Sequence, residues 1–387
     1  MFFTALQWKS LISTALLVAD QIEHYIGIMS GTSMDAIDAV LVRFNTDNTL
    51  DTIHTHSQSF PDSLRQNLIE LIQPSWTGSL SDIASLNAEL GSIYGETVNQ
   101  LLRDCDIAKD DITAIGNHGQ TIWHQPEHEH AYSWQLGDAN RISEASGITT
   151  VADFRNRDIA ASGEGAPLVP AFHEAVFAHP KETRVIVNIG GIANISLLSP
   201  DKDVIGFDTG PGNGLMDAWC LKHLGKAYDE NGKWAAQGSI IPELLTQMLA
   251  DPYFARSFPK STGKELFNLA WLAPFLSPEM AAEDVQATLL ELTARSIVES
   301  VKAATDEITT MYVCGGGFKN KQLMARLQAL LGDTKLDLTT SLGVDAEWVE
   351  AVAFAWLARQ TILGLPGNLP SATGAKGFRV LGAIYPA

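Results

Sequence analysis

Cysteine is scarce in this chain. Among 387 residues there are three, Cys105, Cys220 and Cys314, an odd number set far apart with no Cys-x-x-Cys. They imply no disulfide framework and fit a reducing cytoplasm. Positive charge is also short. Lys and Arg number 26 against 45 Asp and Glu, a formal net charge of −19. Such a surface repels nucleic acid and acidic membranes, so neither is an expected partner. The one leading apolar run, Ser10 to Ala19 after Phe2, Phe3 and Lys9, is too short to span a bilayer. No small-residue cleavage pattern follows in Asp20-Gln21-Ile22, so a leading helix, or a start placed too early, is preferred to a signal peptide. No Gly-x-x-x-x-Gly-Lys-[Ser/Thr] occurs; Gly263-Lys264 is followed by Glu265 and lacks the earlier glycine, which excludes a P-loop. His173-Glu174 is followed by His179, a spacing that excludes the zinc-protease helix. His124, His128 and His130 are interleaved with proline and glutamates and read as a solvated loop rather than a metal site. Low-complexity tracts and short-period repeats are absent.

What is present is glycine at the ends of apolar segments. Tyr25 to Met29 reads as a buried strand and Ala36 to Phe44 as a second, alternating one. Between them stand Ser30, Gly31, Thr32, Ser33 and Asp35. A turn rich in hydroxyls and backbone N–H groups is a concave anion site, best suited to phosphate, although an ordinary structural hairpin reads the same way. Asp35 and Asp38 beside it suggest magnesium held through water. Arg184 to Leu198 repeats strand, glycine pair, strand. Met311 to Asn320 is a strand ending in Gly315-Gly316-Gly317, followed by a helix over Lys321 to Leu331. Glycines there let backbone lie against a planar or charged ligand, with the helix N-terminus adding partial positive charge.

The length suggests two domains, and 45% hydrophobic with 18% charged residues suits a globular protein. Helical spacing covers Pro61 to Ile72, Asp82 to Asp106, Leu215 to Leu224, Asp284 to Ala304 and Asp345 to Leu363. Strands are expected at Asp110 to Gly116, Thr149 to Ala152, Val204 to Phe207 and Arg379 to Ile384, with a surface loop from Leu365 to Gly377. Asn117-His118-Gly119-Gln120 lies at the mouth of a strand, where α/β sites form. Asp208 follows a strand and precedes Thr209-Gly-Pro-Gly-Asn213, which suits a general base; a helix N-cap is the plain alternative. Arg155 and Arg157 bracket a turn. One of them suits a two-pronged contact to a carboxylate, and a surface ion pair with Asp153 or Asp158 is as good a reading. The chemistry narrows to a nucleotide or other phosphate compound with magnesium, and a positioned aspartate acting on a polar acceptor, the inventory of phosphoryl transfer.

The two glycine hairpins and Cys314-Gly-Gly-Gly317 resemble the phosphate and adenosine motifs of the actin, heat-shock chaperone and sugar-kinase superfamily. More closely, Gly27-Ile-Met-Ser-Gly-Thr-Ser-Met-Asp35, Asn117-His-Gly-Gln-Thr-Ile122, Val151-Ala-Asp-Phe-Arg155, Gly165-Ala-Pro-Leu-Val-Pro170, Val187-Asn-Ile-Gly-Gly191 and Gly206-Phe-Asp-Thr-Gly-Pro-Gly-Asn213 resemble the anhydro-N-acetylmuramic acid kinase family. The resemblance covers nearly the whole chain from Tyr25. It implies an α/β fold of two related actin-like (ribonuclease H-like) domains, with mixed sheets flanked by helices and an active-site cleft between them. Boundaries follow as residues 1–24 outside the pattern, 25–170 for the first domain, completed by 370–387, and 171–369 for the second. It implies ATP and Mg2+ as cofactors, an amino-sugar substrate and a cytoplasmic place in peptidoglycan recycling, and leaves a homodimer open. The implied reaction hydrolyses the 1,6-anhydro bond and phosphorylates O6, giving N-acetylmuramic acid 6-phosphate and ADP. An ordinary sugar kinase of the same fold, or a non-catalytic actin-like or chaperone-like nucleotide binder, is the rival.

Carried over residue by residue, the resemblance makes Asp208 the catalytic base. It assigns ATP to Gly31, Thr32, Ser33, Met34, Asp35, Ala36, Ile37 and Asp38, to Asn188, Gly190 and Gly191, and to Gly315, Gly316 and Gly317. It assigns the sugar to His118, Gln120, Arg155 and Glu350, with Arg155 on the lactyl carboxylate. Met34 and Ala36 depart from the leucine and glycine common in the family.

Overall fold

A computed structural model describes residues 22–31, 34–47, 49–73 and 75–387. The leading segment, and Thr32 and Ser33 of the first turn, lie outside the described residues. The chain divides into two compact units. One holds the residues up to Phe172 together with Glu350–Ala387, and the other holds His173–Val349.

The sheet of the first unit contains β1 (Glu23–Ser30), β2 (Ala36–Phe44), β3 (Leu50–Ser59), β4 (Ile112–Asn117), β7 (Thr150–Ala152) and β13 (Ala383–Tyr385), in the order β13-β7-β4-β1-β2-β3. A separate ribbon pairs β5 (Gln120–Gln125) with β6 (Tyr132–Leu136). β1, β2 and β3 are antiparallel neighbours, while β4 and β7 continue the sheet parallel to β1. Strands β1 and β2 keep nearly every apolar side chain buried, as a sheet covered on both faces requires. Helices α1 (Asp62–Leu71) and α2 (Leu80–Arg103) supply Leu64, Leu68, Leu90, Tyr94 and Val98 to the core on one face. Helix α2 begins with a capping box in which Ser79 and Asp82 satisfy each other's backbone N–H groups. Further along run α3 (Ala139–Ser146), α4 (Phe154–Ile159) and α5 (Val169–Phe177).

In the second unit, β8 (Arg184–Ile189), β9 (Ile192–Leu198), β10 (Ile205–Pro211), β11 (Thr310–Cys314) and β12 (Lys335–Leu338) are ordered β10-β9-β8-β11-β12. Again the first three strands are antiparallel and the last two parallel to the first. Both sheets thus run third, second, first, fourth, fifth, the relation expected of two related halves. The helices here are α6 (Gly214–Leu224), α7 (Pro242–Leu249), α8 (Leu269–Leu272), α9 (Ala282–Ala304) and α10 (Lys321–Leu331). Helix α9 is buried along most of its length, with Val285, Leu289, Leu292, Ile297 and Val301 in the core.

The sequence reading ends the second domain at 369, whereas α11 (Val349–Ile362), α12 (Pro370–Thr373) and the strand after them group with the first unit. The physical reason is a notch made by two glycines. Gly27 of β1 and Gly116 of β4 are register partners. A Cβ on Gly27 would sit 1.8 Å from the Ala351 carbonyl oxygen, and one on Gly116 2.0 Å from that of Phe354. The backbone of α11 therefore lies directly on the sheet. Residues 365–377 are not a surface loop either. Asn368 and Thr373 are buried and both donate to the fully buried Asp158, at 2.7 and 2.9 Å. The final strand is also shorter than expected, because only Ala383–Tyr385 pairs with β7.

Gly116→Val should lower the unfolding free energy by ~1–3 kcal/mol or more, since the added atoms meet the Phe354 carbonyl and the Ala358 side chain of α11. Urea unfolding of the purified variant measures this; an unchanged midpoint would contradict the notch.

Candidate active site

The first turn is pinned at both ends. Ser30 is buried and its hydroxyl lies 2.7 Å from that of Tyr94 in α2. Burial raises the Tyr94 pKa, so this phenol stays protonated. At the other end the Met34 N–H bonds to the Gly31 carbonyl at 3.0 Å, and Met34 has φ 56°. Arg65 of α1 donates to the Met34 carbonyl at 2.9 Å and pairs with Asp35 at 3.4 Å. Met34 and Ile37 send their side chains into the core, so only their backbone can meet a ligand. Asp35 is exposed, and Asp38 accepts a hydrogen bond from the Ser57 hydroxyl at 2.7 Å. Arg65 was missed by the sequence reading, because nothing in its own helix marks it as facing the turn.

Three of the expected sugar residues cluster in the same unit. His118 follows β4, and its N–H bonds to the Ile28 carbonyl of β1 at 3.0 Å. The Arg155 guanidinium approaches His118 Nε2 from two nitrogens, at 3.1 and 2.8 Å, and donates to the Gly165 carbonyl at 2.8 Å. Burial first, and the Arg155 charge second, hold the His118 imidazole well below its ordinary pKa. It is neutral, accepts at Nε2, and orients Arg155. Phe354 of α11 packs on the His118 ring with centroids 4.7 Å apart. Glu350 stands one turn earlier on that same helical face. A surface ion pair of Arg155 or Arg157 with Asp153 or Asp158 is the equal reading from sequence, and among the described residues Asp158 does not serve it. Asp158 instead accepts from Asn368, Thr373 and the Gly165 N–H. Gln120 is fully buried at the start of β5, its Nε2 3.3 Å from the Thr121 carbonyl. The ribbon it opens is tied to α4 by Asn156, whose side-chain amide both donates to and accepts from the Ser133 backbone.

In the second unit the three separated motifs interlock. The Gly190 and Gly191 carbonyls accept from the backbone of Gly212, Asn213 and Gly214, at 2.7–3.0 Å. Asn213 also donates from its side chain to the Ile189 carbonyl at 3.2 Å. Gly315 has φ 76°, and a Cβ there would lie 2.1 Å from Asn188 Oδ1. Only glycine fits that contact. Asn188 Oδ1 is buried without a hydrogen-bond partner, an acceptor that a ligand N–H or bound water would satisfy.

Asp208 is not placed as the sequence suggested. It lies within β10, opposite Asn194, with a register shift between it and Gly210. Strand β10 is at the sheet edge, where Pro211 is tolerated. The N-cap of α6 is Asn213, so Asp208 has no capping role. Instead the Asp208 carboxylate accepts from the Thr262 N–H at 2.9 Å. Its own N–H bonds to the Lys260 carbonyl at 3.0 Å, and its carbonyl accepts from the Tyr253 hydroxyl at 2.6 Å. Burial and the Asp208 charge raise the Tyr253 pKa, which keeps that hydroxyl a donor. Thr262 and Tyr253 were missed; the polar, glycine-containing run Phe258 to Lys264 was the signal that could have found the first. Among the described residues no cluster of three or more metal-type ligands occurs, and the His124 ring is bonded to Ser133 at 3.0 Å rather than to its neighbouring histidines.

Residues 23–387 match the family profile described as anhydro-N-acetylmuramic acid kinase. The chain is 50% identical over 366 residues to the anhydro-N-acetylmuramic acid kinase of Pasteurella multocida, covering 94% of this chain and 97% of that one. It is 52% identical to that of Nitrosospira multiformis, covering 94% and 99%. Among solved structures it is similar to an activator of 2-hydroxyisocaproyl-CoA dehydratase from Clostridium difficile, with 14% identity, TM-score 0.42 and coverage of 86% and 92%. It is also similar to a ROK family glucokinase from Streptomyces griseus, with 11% identity, TM-score 0.36 and coverage of 88% and 100%.

The buried histidines set a pH dependence. His118 is held well below 6.5, burial puts His173 at about 3, and burial with Arg155 puts His124 at about 4. Each protonates more readily in the unfolded chain, so stability is full above pH 6.5 and falls as the pH drops towards those values. Thermal melts between pH 7 and 4.5 should show this loss, with a shallower slope in His173→Phe. A parallel slope in that variant would contradict the assignment.

Proposed function

The chain belongs to the anhydro-N-acetylmuramic acid kinase family, and on that premise we propose which of its residues carry the phosphotransfer. The substrates are 1,6-anhydro-N-acetylmuramic acid, ATP and water. Asp208 takes a proton from the water as its oxygen attacks C1 of the sugar. The C1–O6 bond breaks, and O6 attacks the γ-phosphorus as ADP leaves. The proton ends on Asp208 and is released to solvent. The scheme resembles an inverting glycosidase in which the departing oxygen takes a phosphoryl group instead of a proton. What supports the reading is the hydrogen bonding of Asp208: a carboxylate with a backbone N–H on one oxygen, and its own backbone tied on both sides, is pre-oriented for proton abstraction.

The ATP phosphates are assigned to the Gly31–Asp38 turn, with Ala36 among its residues, and to Asn188, Gly190 and Gly191. The adenosine is assigned to Gly315, Gly316 and Gly317. His118, Gln120 and Glu350 line the sugar, and Arg155, oriented by His118, meets its lactyl carboxylate. Magnesium neutralises charge on the phosphates when bound. Asp35 and Asp38, carboxylates beside the first turn, would suit it as acceptors of its water ligands. The reaction belongs in the cytoplasm, where ATP is available, as a step in cell-wall recycling.

Asp208→Asn should keep ATP binding and lose ~10²–10⁴-fold or more in kcat. Product mass gives the check, one phosphate and one water added to the anhydro sugar. Near-normal turnover would remove Asp208 from the mechanism, and phosphorylation of only the ring-opened sugar would remove the hydrolytic step.

A further inference from the structure

Phe207 and Asp208 are consecutive in β10, so their side chains point to opposite faces. On the Phe207 side lies a cavity of about 390 Å³, lined among others by Phe207, Phe254, Arg256, Phe258, Lys260 and Ser300. Its volume falls within the ~300–1,000 Å³ usual for small-molecule sites. Phe207 and Phe258 stack along it, centroids 5.0 Å apart and planes 10° apart. Lys260 is 9% exposed, and its Nζ donates to the Tyr253 and Phe254 carbonyls, both at 3.3 Å. Lys260 Nζ and the Arg256 guanidinium lie 4.8 and 5.8 Å from the centre of the same Tyr253 ring. Two cations are therefore held close together, and burial with the Arg256 charge lowers the Lys260 pKa. Among the described residues neither makes an ion pair. Glu299, the one carboxylate lining the cavity, pairs with Arg295 at 3.7 Å instead. In a chain of net charge −19, two such cations beside aromatic walls complement an anion.

We propose that this cavity binds a small organic anion, a carboxylate or phosphate carried on a planar apolar body, and that its occupancy is communicated to Asp208. The planar body lies against the exposed Phe258 ring, which the buried Phe207 ring backs, and the anionic group meets Arg256 and the remaining Lys260 N–H. The connection to Asp208 is short. The Lys260 carbonyl accepts the Asp208 N–H, the Tyr253 hydroxyl donates to the Asp208 carbonyl, and the Thr262 N–H holds its carboxylate. One segment, from Tyr253 to Thr262, thus faces the cavity with side chains and holds Asp208 with two backbone groups and one hydroxyl. The effect on turnover rests on the catalytic role proposed for Asp208; the binding does not.

The test uses 8-anilinonaphthalene-1-sulfonate as a fluorescent aromatic anion, titrated into the full chain with saturating Mg-ATP. One saturable site is expected. Arg256→Glu, a change at an exposed position, should weaken it at least ~10-fold, the loss of one charge-assisted hydrogen bond. Benzoate and phenyl phosphate as competitors separate carboxylate from phosphate ligands, and displacement by either supports the site. Unchanged affinity in Arg256→Glu, while its melting curve matches the parent, overturns the proposal, as does an absence of saturable binding under Mg-ATP. Binding should persist in Asp208→Asn whether or not that variant turns over, so failure of the mechanism and failure of the site are distinguishable. The better competitor should also change kcat in the parent and not in Arg256→Glu; a kcat insensitive to it in both overturns the communication to Asp208.

Discussion

The second unit is organised around one carboxylate held on an edge strand. Asp208 sits in β10, which has a sheet neighbour on one side only. An edge leaves backbone groups open, and here the Lys260 carbonyl and the Tyr253 hydroxyl occupy those of Asp208, while the Thr262 N–H holds its carboxylate. The aspartate is thereby fixed from its backbone as well as from its side chain. At the ends of the other strands, Gly190 and Gly191 hold the 212–214 backbone, and Gly315 brings the glycine cluster against Asn188 and Ile189. A general base needs this kind of restraint, because a carboxylate free to rotate would lose much of its advantage as a positioned acceptor.

The same strand order in both units explains why similar turns recur. Each sheet starts with a hairpin and returns to a parallel neighbour, so each has a first turn at the end of its central strand. The side chains around those turns differ. In the first unit Arg65, Tyr94 and Met34 restrain the turn through a carbonyl, a hydroxyl and core packing. In the second the restraint is backbone against backbone. His118 and Arg155 form a third kind of support, a neutral imidazole that directs a permanently charged guanidinium.

Strands were legible where burial on both faces imposed an apolar run, as in Arg184–Ile189, and helices where caps and periodicity agreed, as in Lys321–Leu331 with Asn320 at its N-cap. The glycine-rich motifs were legible as turns because so few conformations suit them. What could not be read was partnership. The Gly27–Gly116 notch works through missing atoms, and nothing in Val349–Ile362 announces the sheet it lies on. Asp158 looks like a surface acid in sequence, yet it is satisfied by Asn368 and Thr373, more than two hundred residues away. Thr209-Gly-Pro suggested a turn after Asp208, whereas an edge strand tolerates proline and here runs on to end at Pro211.

The most direct test of the central claim is where the water goes. Turnover of 1,6-anhydro-N-acetylmuramic acid with ATP in ¹⁸O-water, quenched before anomeric exchange, locates the label by fragment mass. Attack on C1 by water activated at Asp208 predicts one ¹⁸O on the C1 hydroxyl and none in the phosphate. Label in the phosphate, or an unlabelled C1 hydroxyl, would contradict the account.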